Sequence, residues 1–392
     1  MFEEDMTMPR KLKVGIIGIG FIGVCHIDAI RRITGTELVA VADANAALAK
    51  KRAEEFGVPY YYDNIDDLVR NEEINVIHNC TPNHMHFEIN SKVILAGKHI
   101  FSEKPLARTC DESAELIRLL QTKPDIRAGV NYCYRMNPLI QDAKNRIAAG
   151  EIGKPFLVHG SYLQDWMLYD TDYNWRVDPV ISGDSRTVAD IGTHWMDTAQ
   201  VLVNSRIREV CATTVIAHPY RKKSKQQVET FSVSTGSDYE LCKVETEDYA
   251  GVLIRFENGA SGLFQCSEIS AGRKCYIEVE VNGSDASFNW QHETSDHMWK
   301  GNRDKNNELI FRNPNLMTSE ARKYTYLAAG HSEGWNDAFK NNLTAFYHDV
   351  LSINRQNLKK DYATFEDAHY LMKLTNAILE SGKTGQWVTL EN

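Results

Sequence analysis

The chain has 392 residues, of which 43% are hydrophobic and 25% charged, and its formal net charge is −9. This length and balance predict a globular protein with two domains. The acidic charge argues against nucleic acid as a partner, and the longest apolar run, Val14–Cys25, is too short and too rich in glycine to cross a membrane.

The spacing of the cysteines and the composition of the first residues indicate the cellular compartment of the protein. The eight cysteines are scattered, and none forms a C-x-x-C pair or a zinc-ribbon spacing. They are typical of small apolar residues in a reducing compartment. The stretch "MFEEDMTMPRK" is acidic and polar, which is not the pattern of a secretory signal. We therefore expect a cytoplasmic protein without a structural metal.

Strands and helices alternate from Lys11 to about Tyr132. The strand-like runs are "LKVGIIG", "TELVAVAD", "INVIHNC", "KHIFSE" and "IRAGVNY", with a weaker one at Tyr60–Tyr62; the helical stretches are Phe21–Ile33, Asn45–Phe56, Asn83–Ala96 and Asp111–Gln121. Apolar strands separated by helices predict a parallel sheet covered on both faces, wound as a Rossmann fold. We assign residues 11–131 to this domain.

The turn after the first strand reads "GIGFIG" and predicts a dinucleotide site. Gly18 would make the tight turn, Gly20 would let a pyrophosphate approach the backbone, and Gly23 would let helix and strand pack closely. The helix that begins at Phe21 and Ile22 would present its first amides to that pyrophosphate. The alternative is a glycine-rich turn without a ligand.

Asp43 ends the second strand and bears on the choice of coenzyme. A carboxylate at this position can hold both ribose hydroxyls, but it would repel a 2′-phosphate. The residues that follow are Ala44, Asn45 and Ala46, so no arginine stands ready to receive a phosphate. NAD is therefore predicted, and NADP is less favoured.

Two further loops follow strands at the same carboxyl edge, where ligands of open α/β sheets bind. We expect residues of "CTPNHMH" and "SEKP" to border the coenzyme, namely Cys80, Thr81, Asn83, His86 and Glu103. His84 and His86 lack the third and fourth ligands that zinc needs, so a metal-free loop that caps the next helix is favoured. Lys104, which Pro105 restricts, is suited to catalysis, and its alternative is an ordinary surface lysine.

The pattern changes after residue 131. Alternating runs such as "PFLVHGSYLQ", "YAGVLIRF" and "ASGLFQCSEI" predict a largely antiparallel sheet with one exposed face, and Asn258-Gly259 marks a hairpin. Helices are predicted at Asn137–Ala149, Ile191–Leu202, Gly334–Ile353 and Thr364–Glu380. Irregular or polar segments are predicted at Tyr220–Lys225, within the polar stretch His218–Lys243, and at Asn289–Gly330. Residues 132–392 form this second, α+β domain.

Within it, "VADIGTHWMD" places Asp190, His194 and Asp197 at helical offsets of four and three. On a regular helix the three side chains would share one face. The alternative is that Asp190 is a helix N-cap and His194 a satisfied core histidine. Asp197, one turn deeper, is expected to anchor a neighbouring side chain.

Taken in order, "GIGFIG", "TPNHMH", "EKP" and "DIGTHWMD" resemble the Gfo/Idh/MocA family, which comprises glucose–fructose oxidoreductases and inositol dehydrogenases. The resemblance implies a dinucleotide-binding domain followed by an α/β domain on a large open sheet that commonly mediates dimers or tetramers. It implies that Lys104, Asp190 and His194 are catalytic. It also implies that Asn131, Trp175 and Arg176 border the coenzyme.

These residues together predict an NAD-dependent dehydrogenase of a sugar, cyclitol or sugar derivative. His194 would take the hydroxyl proton, Lys104 would stabilise charge on the same oxygen, and Asp190 would orient one of them. The aromatic and polar loop before the motif would bind the substrate, or alternatively would pack into a domain interface. Its candidate residues are Tyr162, Gln164, Asp165, Trp166, Asp172, Trp175 and Arg176. Arg135 and His331 are further candidates outside this loop.

Two rival functions share the predicted fold. One is an NAD-dependent glycosidase, which oxidises its substrate transiently and regenerates its coenzyme. The other is a nucleotide-sensing regulator without catalysis, which the presence of Lys104, Asp190 and His194 disfavours. Net accumulation of NADH separates the dehydrogenase from both.

Overall fold

A computed structural model describes residues 11–224, 238–352 and 360–390. It divides into two compact units. Among the described residues, the first unit consists of 11–107, 111–131 and 342–365, and the second of 108–110, 132–341 and 366–390. The sequence prediction placed residues 342–365 in the second domain, whereas the described residues 342–352 and 360–365 belong to the first compact unit.

The first unit is built on a seven-stranded sheet. Its strands are β1 (Leu12–Ile17), β2 (Thr36–Ala42), β3 (Tyr60–Tyr62), β4 (Val76–Asn79), β5 (His99–Ser102), β6 (Ala128–Val130) and β17 (Ala363–Thr364). The order across the sheet is β17-β6-β5-β4-β1-β2-β3, and every pair is parallel except β17–β6. The described residues of 342–365 belong to the first unit because β17, which lies among them, pairs with β6 at the edge of the sheet.

The helices between these strands are α1 (Phe21–Arg31), α2 (Ala46–Glu55), α3 (Ile65–Arg70), α4 (Asn83–Leu95) and α5 (Cys110–Gln121). The central strands are apolar and wholly buried, with Val14, Val41 and Val76 each at 0% exposure. Such strands need cover on both faces, which the alternating helices provide. The predicted Rossmann-type fold is confirmed.

The second unit is built on a nine-stranded sheet. Its strands are β7 (Pro155–Leu163), β8 (Ile207–Val215), β11 (Tyr249–Phe256), β12 (Ser261–Ser267), β13 (Tyr276–Gly283), β14 (Ala286–Gln291), β15 (His297–Asn302), β16 (Glu308–Phe311) and β18 (Val388–Thr389). The order is β16-β15-β14-β13-β7-β12-β11-β8-β18. Only β12 and β7 run parallel, so the predicted, mostly antiparallel sheet is confirmed.

Helices cover one face of this sheet. The α-helices in this part of the chain are α6 (Pro138–Ala148), α7 (Pro179–Ser182), α8 (Thr193–Val203), α9 (Ser319–Arg322), α10 (Trp335–Leu351) and α11 (Phe365–Thr384). In α8, Trp195 stacks on Phe264 of β12 with ring centroids 4.6 Å apart, and its indole N–H donates to the Glu278 carbonyl of β13. These contacts fix α8 against the middle of the sheet.

Two segments expected to be irregular contain strands. The predicted loop Asn289–Gly330 holds the end of β14, all of β15 and β16, and α9. The basic run at Tyr220–Lys225 was also predicted to be a loop, but β9 (Tyr220–Ser224) pairs with β10 (Tyr239–Lys243). Residues 225–237 lie outside the described residues. Both predictions are wrong because polar side chains on the exposed side of a strand conceal the strand period.

Across residues 11–224, 238–352 and 360–390, no helix combines the length and the apolar content that a bilayer span requires.

Candidate active site

The turn between β1 and α1 has the geometry that a dinucleotide needs. Gly18 adopts φ +84°, and a Cβ there would come within 2.7 Å of the Cys80 carbonyl oxygen. A Cβ on Gly23 would come within 2.2 Å of the Gly18 carbonyl oxygen, whereas a Cβ on Gly20 would meet open space. Gly18 and Gly23 are thus required by the turn and by packing, and Gly20 leaves the backbone open to a ligand.

The carboxylate of Asp43 is held beside this turn. Its Oδ2 accepts from the Ile19 amide at 3.1 Å, and its Oδ1 accepts from the Asn45 amide at 2.9 Å. Helix α1 begins after Gly20 without a side-chain cap, and Phe21 and Ile22 follow in its first turn. An anion-binding helix start and a fixed carboxylate fit the pyrophosphate and the ribose of a dinucleotide.

The loops after β4 and β5 are joined by one buried histidine. His86 Nδ1 lies 2.6 Å from the Pro105 carbonyl oxygen, and Nε2 lies 2.7 Å from the Thr81 carbonyl oxygen. Burial lowers the pKa of His86, and the two carbonyl oxygens oppose that shift. His86 therefore clamps the two loops together. The predicted capping role is wrong, because α4 begins after Pro82 without a side-chain cap.

The other residues of these loops vary in exposure. Cys80 and Asn83 are buried, Thr81 is half-buried and His84 is exposed. Burial also raises the pKa of the Cys80 thiol well above its ordinary value. In the described part of the chain, no three His, Cys, Asp or Glu side chains are grouped as a metal ion would need.

Glu103 and Asn131 are buried side chains that bond to each other, and Glu103 also bonds to the backbone of Lys104. The Asn131 side-chain amide donates to Glu103 Oε1 at 2.6 Å, and the Lys104 backbone amide donates to Glu103 Oε2 at 3.2 Å. Burial acts to raise the pKa of Glu103, but His26, Lys104 and Asn131 outweigh it, and the pKa lies below its ordinary value. Lys104 itself is half-buried.

In the second unit, the predicted catalytic helix is irregular at its start. Val188–Gly192 forms a π-helical turn, and α8 continues from Thr193. Asp190 therefore lies in a π-helical turn and not in the regular helix that the prediction of one shared face assumed. Asp190 is not the N-cap of α8, because the cap residue is Gly192. π-Helical turns are frequent at functional sites.

Asp190 bonds to an arginine that lies beside two tryptophan rings. These rings form the first of two aromatic clusters in this unit. Its Oδ1 accepts from Arg176 Nε at 3.2 Å. The guanidinium of Arg176 lies 4.4 Å from the Trp175 ring centroid and 5.8 Å from that of Trp166. Asn174 caps the short 3₁₀ turn Trp175–Val177 and so fixes Arg176. A carboxylate, a guanidinium and two indoles are thus brought together.

His194 contacts the second cluster, which sequence reasoning found only in part. The rings of Tyr132, Tyr134 and Tyr162 lie 5.3, 5.1 and 6.3 Å from the imidazole, measured between centroids. The hydroxyls of Tyr134 and Tyr162 are 2.8 Å apart, and the Cys275 sulfur is 3.1 Å from the Tyr134 hydroxyl. Burial raises the pKa of both tyrosines well above the ordinary value. His194 is 8% exposed, so these aromatic rings and their neighbours cover most of it.

Tyr132, Tyr134 and Cys275 were absent from the predicted site. The signal available for the tyrosines was "NYCY", two aromatic residues two positions apart directly after the last Rossmann strand. Cys275 had no signal, because a lone cysteine in a strand-like run is typical of a small core residue.

Arg135 and Asp197 pair with each other. Asp197 accepts two hydrogen bonds from the Arg135 guanidinium, and Asp367 of α11 accepts a third at 3.3 Å. Arg135 is 6% exposed, and burial raises the pKa of Asp197 to about 6. Asp197 therefore anchors a neighbour, as predicted. The Arg135 guanidinium is committed to these carboxylates rather than presented to solvent.

The remaining substrate candidates lie in varied surroundings. Trp166 packs against a small core of Met167, Val177 and Val244. Gln164 is half-buried and bonds through its backbone to Ser267. Asp165 pairs with Lys274, and Asp172 accepts from the Tyr169 amide. His331 is exposed, and its carbonyl oxygen accepts from Arg312.

A buried charge cluster precedes the π-helical turn, and the sequence did not reveal it. Arg186 contacts Asp248 and lies 3.2 Å from Glu268 Oε2, and Asp248 also accepts from Arg221. Glu247 accepts from the Ser185 hydroxyl at 2.6 Å and from the Val188 amide at 2.9 Å. The arginines and acids are each at most 3% exposed. This cluster fixes the segment that leads into Asp190.

The Rossmann unit with its open glycine turn and fixed Asp43 defines the first unit as a nicotinamide-dinucleotide domain. The second unit, with an antiparallel sheet and a histidine on a central helix, is of the kind that accompanies it in oxidoreductases. Residues 12–132 match the family model "Oxidoreductase family, NAD-binding Rossmann fold", and residues 144–390 match "Oxidoreductase family, C-terminal alpha/beta domain". The chain belongs to this Gfo/Idh/MocA oxidoreductase family.

Several relatives have names that describe an activity. A levoglucosan dehydrogenase of Pseudarthrobacter phenanthrenivorans is 32% identical over 97% of this chain and 98% of its own length. An inositol 2-dehydrogenase of Salmonella typhimurium is 31% identical over 38% of this chain and 46% of its own length. A solved levoglucosan dehydrogenase in complex with NADH and levoglucosan superposes with a TM-score of 0.85 at 27% identity, covering 97% of this chain and 99% of the other.

These similarities confirm three predictions. The chain is a member of the predicted family, its coenzyme is NAD, and it is an NAD-dependent dehydrogenase.

Proposed function

We propose that the protein oxidises a secondary hydroxyl of a sugar, cyclitol or sugar derivative, with NAD as the acceptor. The observation that carries this is His194, a histidine at the start of a central helix, bordered by tyrosines and preceded by the π-helical turn that bears Asp190. An imidazole among aromatic rings suits a polyhydroxylated ring, whose C–H faces pack on aromatics. The similarity to levoglucosan and inositol dehydrogenases supports the same substrate class.

The coenzyme would be held by the first unit. The turn of Gly18, Gly20 and Gly23 would receive the pyrophosphate, and Asp43 would bind the ribose hydroxyls. When bound, NAD supplies the acceptor for the hydride that leaves the carbinol carbon. We assign Cys80, Thr81, Asn83, His86, Glu103 and Asn131 to the loops that border it, and also Trp175 and Arg176.

Three side chains would manage the proton and the charge. His194 takes the hydroxyl proton as the carbonyl forms, and returns it in the reverse reaction. Lys104 stabilises the negative charge that develops on the oxygen. Asp190, already paired with Arg176, balances the positive charge around the imidazole. Tyr162, Gln164, Trp166, Asp172 and His331 are candidates for binding the other hydroxyls, whereas the buried pairing of Arg135 favours a structural role.

The protein is further proposed to act as a homodimer or homotetramer in the cytoplasm. The support for an oligomer is the open sheet of the second unit, whose outer face bears exposed leucines. The support for the cytoplasm is chemical, because all eight cysteines are free thiols, as a reducing compartment would keep them.

A panel of inositols, aldoses and anhydrosugars, each incubated with the protein and NAD, tests the function through NADH absorbance. We expect sustained accumulation of NADH with at least one member. Release of a cleaved sugar without NADH would identify a glycosidase instead. Tight NAD binding without either product would identify a nucleotide sensor.

A further inference from the structure

A second histidine, His292, lies against the aromatic cluster of His194. It follows β14 at the start of a short 3₁₀ turn, His292–Thr294, and no pattern in the sequence predicted it as a site residue. Its ring is perpendicular to that of Tyr134, with an interplanar angle of 85° and centroids 5.0 Å apart. His194 packs on the same tyrosine at 87° and 5.1 Å. One tyrosine ring therefore contacts both imidazoles.

Contacts on two sides hold this turn in place. The indole N–H of Trp290, inside β14, donates to the Ser295 carbonyl oxygen at 3.1 Å. The Glu293 carboxylate accepts from the backbone amide of Cys275, just before β13, at 3.2 Å. Because the turn is tied both to its own strand and to the neighbouring one, the position of the His292 ring is set before any ligand binds.

The tyrosine hydroxyls of the cluster bond to each other and to a thiol. The Tyr134 and Tyr162 oxygens are 2.8 Å apart, and the Cys275 sulfur lies 3.1 Å from the first and 3.4 Å from the second. Each group can donate once and accept once around this triangle, so all three protons have an acceptor within it. Burial raises the pKa of all three groups, so they keep these protons. The two tyrosines therefore offer a ligand their rings and remaining lone pairs but no donor.

His292 differs from these tyrosines because one of its polar atoms is buried without a partner. Its Nδ1 is covered by protein and makes no hydrogen bond within the described residues. A buried polar atom without a partner costs free energy, and an apolar side chain would fill the same place without that cost. Packing against Tyr134 therefore does not account for an imidazole at this position.

The covered position of Nδ1 also sets the proton of the ring. A neutral imidazole carries one N–H and one acceptor nitrogen. Buried N–H groups without an acceptor are rarer than buried acceptors without a donor, so the proton belongs on Nε2. Nε2 is the nitrogen of this half-buried ring that is not covered, so a ligand can reach it. Burial lowers the pKa of His292 to about 4, and the charge of Glu293 only partly opposes that shift, so the ring is neutral at neutral pH.

We propose that His292 is a specificity-determining residue that donates its Nε2–H to an uncharged oxygen of the substrate. This proposal rests on the function proposed above and names a further part of its substrate site. Because the reacting hydroxyl has His194 and Lys104 as its proposed partners, the oxygen bound by His292 is a different hydroxyl or a ring ether. A neutral donor beside buried aromatic rings does not compensate the charge of a phosphate or carboxylate, so this site favours an uncharged sugar.

Three substitutions separate the donor of His292 from its volume. In His292→Gln the side-chain amide nitrogen can occupy the position of Nε2, in His292→Asn it reaches only the position of Nδ1, and His292→Leu has neither. The probe is the sugar of the panel that the wild type oxidises best. We expect its KM to increase about tenfold in His292→Asn and His292→Leu, the effect of one neutral hydrogen bond, with kcat nearly unchanged. His292→Gln should stay within about threefold of the wild-type KM.

His297→Leu is the matched control. His297 on β15 is also half-buried and packs on an aromatic ring, that of Phe311, with centroids 4.6 Å apart. Its loss should leave KM unchanged, because the ring that it contacts is not one of the cluster. Equal increases in KM for His297→Leu and His292→Leu would contradict the proposal, because loss of packing would then explain both.

Deoxy and carbocyclic analogues of the same sugar identify the oxygen that is bound. The analogue that lacks this oxygen should have the same KM in wild type and His292→Leu, whereas the other analogues should keep the difference of about tenfold. If every analogue keeps the difference, no single oxygen is bound and the proposal is overturned. The same conclusion follows if His292→Asn and His292→Gln raise KM equally.

Nitrogen-15 NMR of the wild-type protein applies where the variants do not fold. At neutral pH it should give a neutral His292 with its proton on Nε2, and a saturating sugar added to the complex with NADH should shift that resonance. A cationic ring, a proton on Nδ1, or a resonance that the sugar does not move would overturn the proposal.

Binding measurements separate this proposal from the proposed function. Calorimetric titration of the complex with NADH gives a dissociation constant for each sugar of the panel without turnover. If no sugar is oxidised but one binds, and binds about tenfold more weakly to His292→Leu, the oxidation fails and the binding role of His292 stands. If a sugar is oxidised and neither KM nor Kd changes in His292→Leu, the opposite holds. If no sugar is oxidised or bound, both proposals fail.

Discussion

His194 is the side chain on which the proposed proton transfer depends. It is 8% exposed, and three tyrosine rings border it. We expect His194→Ala to lower turnover by about 10²–10⁴-fold, the usual contribution of general acid–base catalysis, and to leave NAD affinity nearly unchanged. Steady-state kinetics and coenzyme titration measure the two effects.

The control for this change is His159→Ala on β7, where the side chain is 43% exposed and lies 3.6 Å from Glu280. That variant should retain wild-type turnover. Turnover of His194→Ala equal to wild type at every pH would exclude the proton-transfer role.

Asp43 is the side chain on which the proposed preference for NAD depends. Two backbone amides hold its carboxylate beside the glycine turn, where it would accept from both ribose hydroxyls. We expect Asp43→Ala to weaken NAD binding by about tenfold, the loss of one charge-assisted contact, and to reduce the preference over NADP.

Asp63→Ala is the matched control, because Asp63 follows the neighbouring strand β3 and is exposed. Coenzyme titration with both dinucleotides gives the ratio of affinities. An unchanged ratio in Asp43→Ala would show that the ribose contact lies elsewhere.

At the scale of elements, the buried charge cluster fixes the segment that enters the π-helical turn. Arg186 and Arg221 carry two positive charges, and three acids face them. Asp248 bonds to both arginines, and Glu247 accepts from a hydroxyl and from backbone amides. Neither oxygen of Glu268 accepts a hydrogen bond within the described residues. Charge balance therefore leaves Glu268 as the acid that holds a proton.

Burial raises the pKa of Glu268 to about 8, and the negative charge of Asp190 adds to the shift. A carboxyl whose pKa is higher in the folded than in the unfolded chain stabilises the fold at low pH, and this contribution is lost as the pH rises through about 8. Between about pH 7 and pH 9, wild type should lose about 1 kcal/mol of unfolding free energy relative to Glu268→Gln. Denaturant unfolding at each pH measures this difference.

Glu245→Gln serves as the control, because Glu245 is exposed nearby and Lys243 lowers its pKa. Its difference from wild type should not change between the same two pH values. If Glu268→Gln is destabilised by the same amount at every pH, then Glu268 is ionised and paired with Arg186.

The sequence predicted those helices and strands whose hydrophobic pattern matched the burial of their faces. β1 and β4 are apolar on both sides, and the alternating helices cover them, so the Rossmann order was readable. The π-helical turn at Val188–Gly192 was not, because an extra residue in a helix leaves no local signature. The return of β17 to the edge of β6 depends on pairing over more than 200 residues, which no local pattern encodes.

The site was predictable where one motif fixes one loop. "GIGFIG" and Asp43 lie together as the motif requires. The buried contacts of His78 with His26 and Tyr347 were not predictable, since His78 lies inside a largely apolar strand and its two partners come from other segments of the chain. The same holds for Arg186 and Glu268. Buried polar networks are assembled by tertiary contacts, and a single sequence shows only their isolated members.

At the scale of the whole molecule, the large sheet has an outer face that the chain leaves partly apolar. Leu253 of β11 and Leu263 of β12 are directly opposite each other, and their side chains are 48% and 52% exposed. Leu157 of β7 and Val215 of β8 lie on the same face of the flanking strands, at 50% and 44% exposure. Exposed apolar side chains on one face of an open sheet are typical of an interface between copies of a chain.

We expect the double change Leu253→Lys, Leu263→Glu to dissociate the wild-type oligomer, because it places two charges at the centre of that face, where burial without full solvation is costly. Sedimentation velocity at micromolar concentration should give a dimer or tetramer for wild type and a monomer for the variant. Leu316→Lys is the control, since Leu316 is 73% exposed but lies outside the sheet, and it should retain the wild-type assembly. A monomeric wild type, or a variant that assembles as wild type does, would locate no interface on this face.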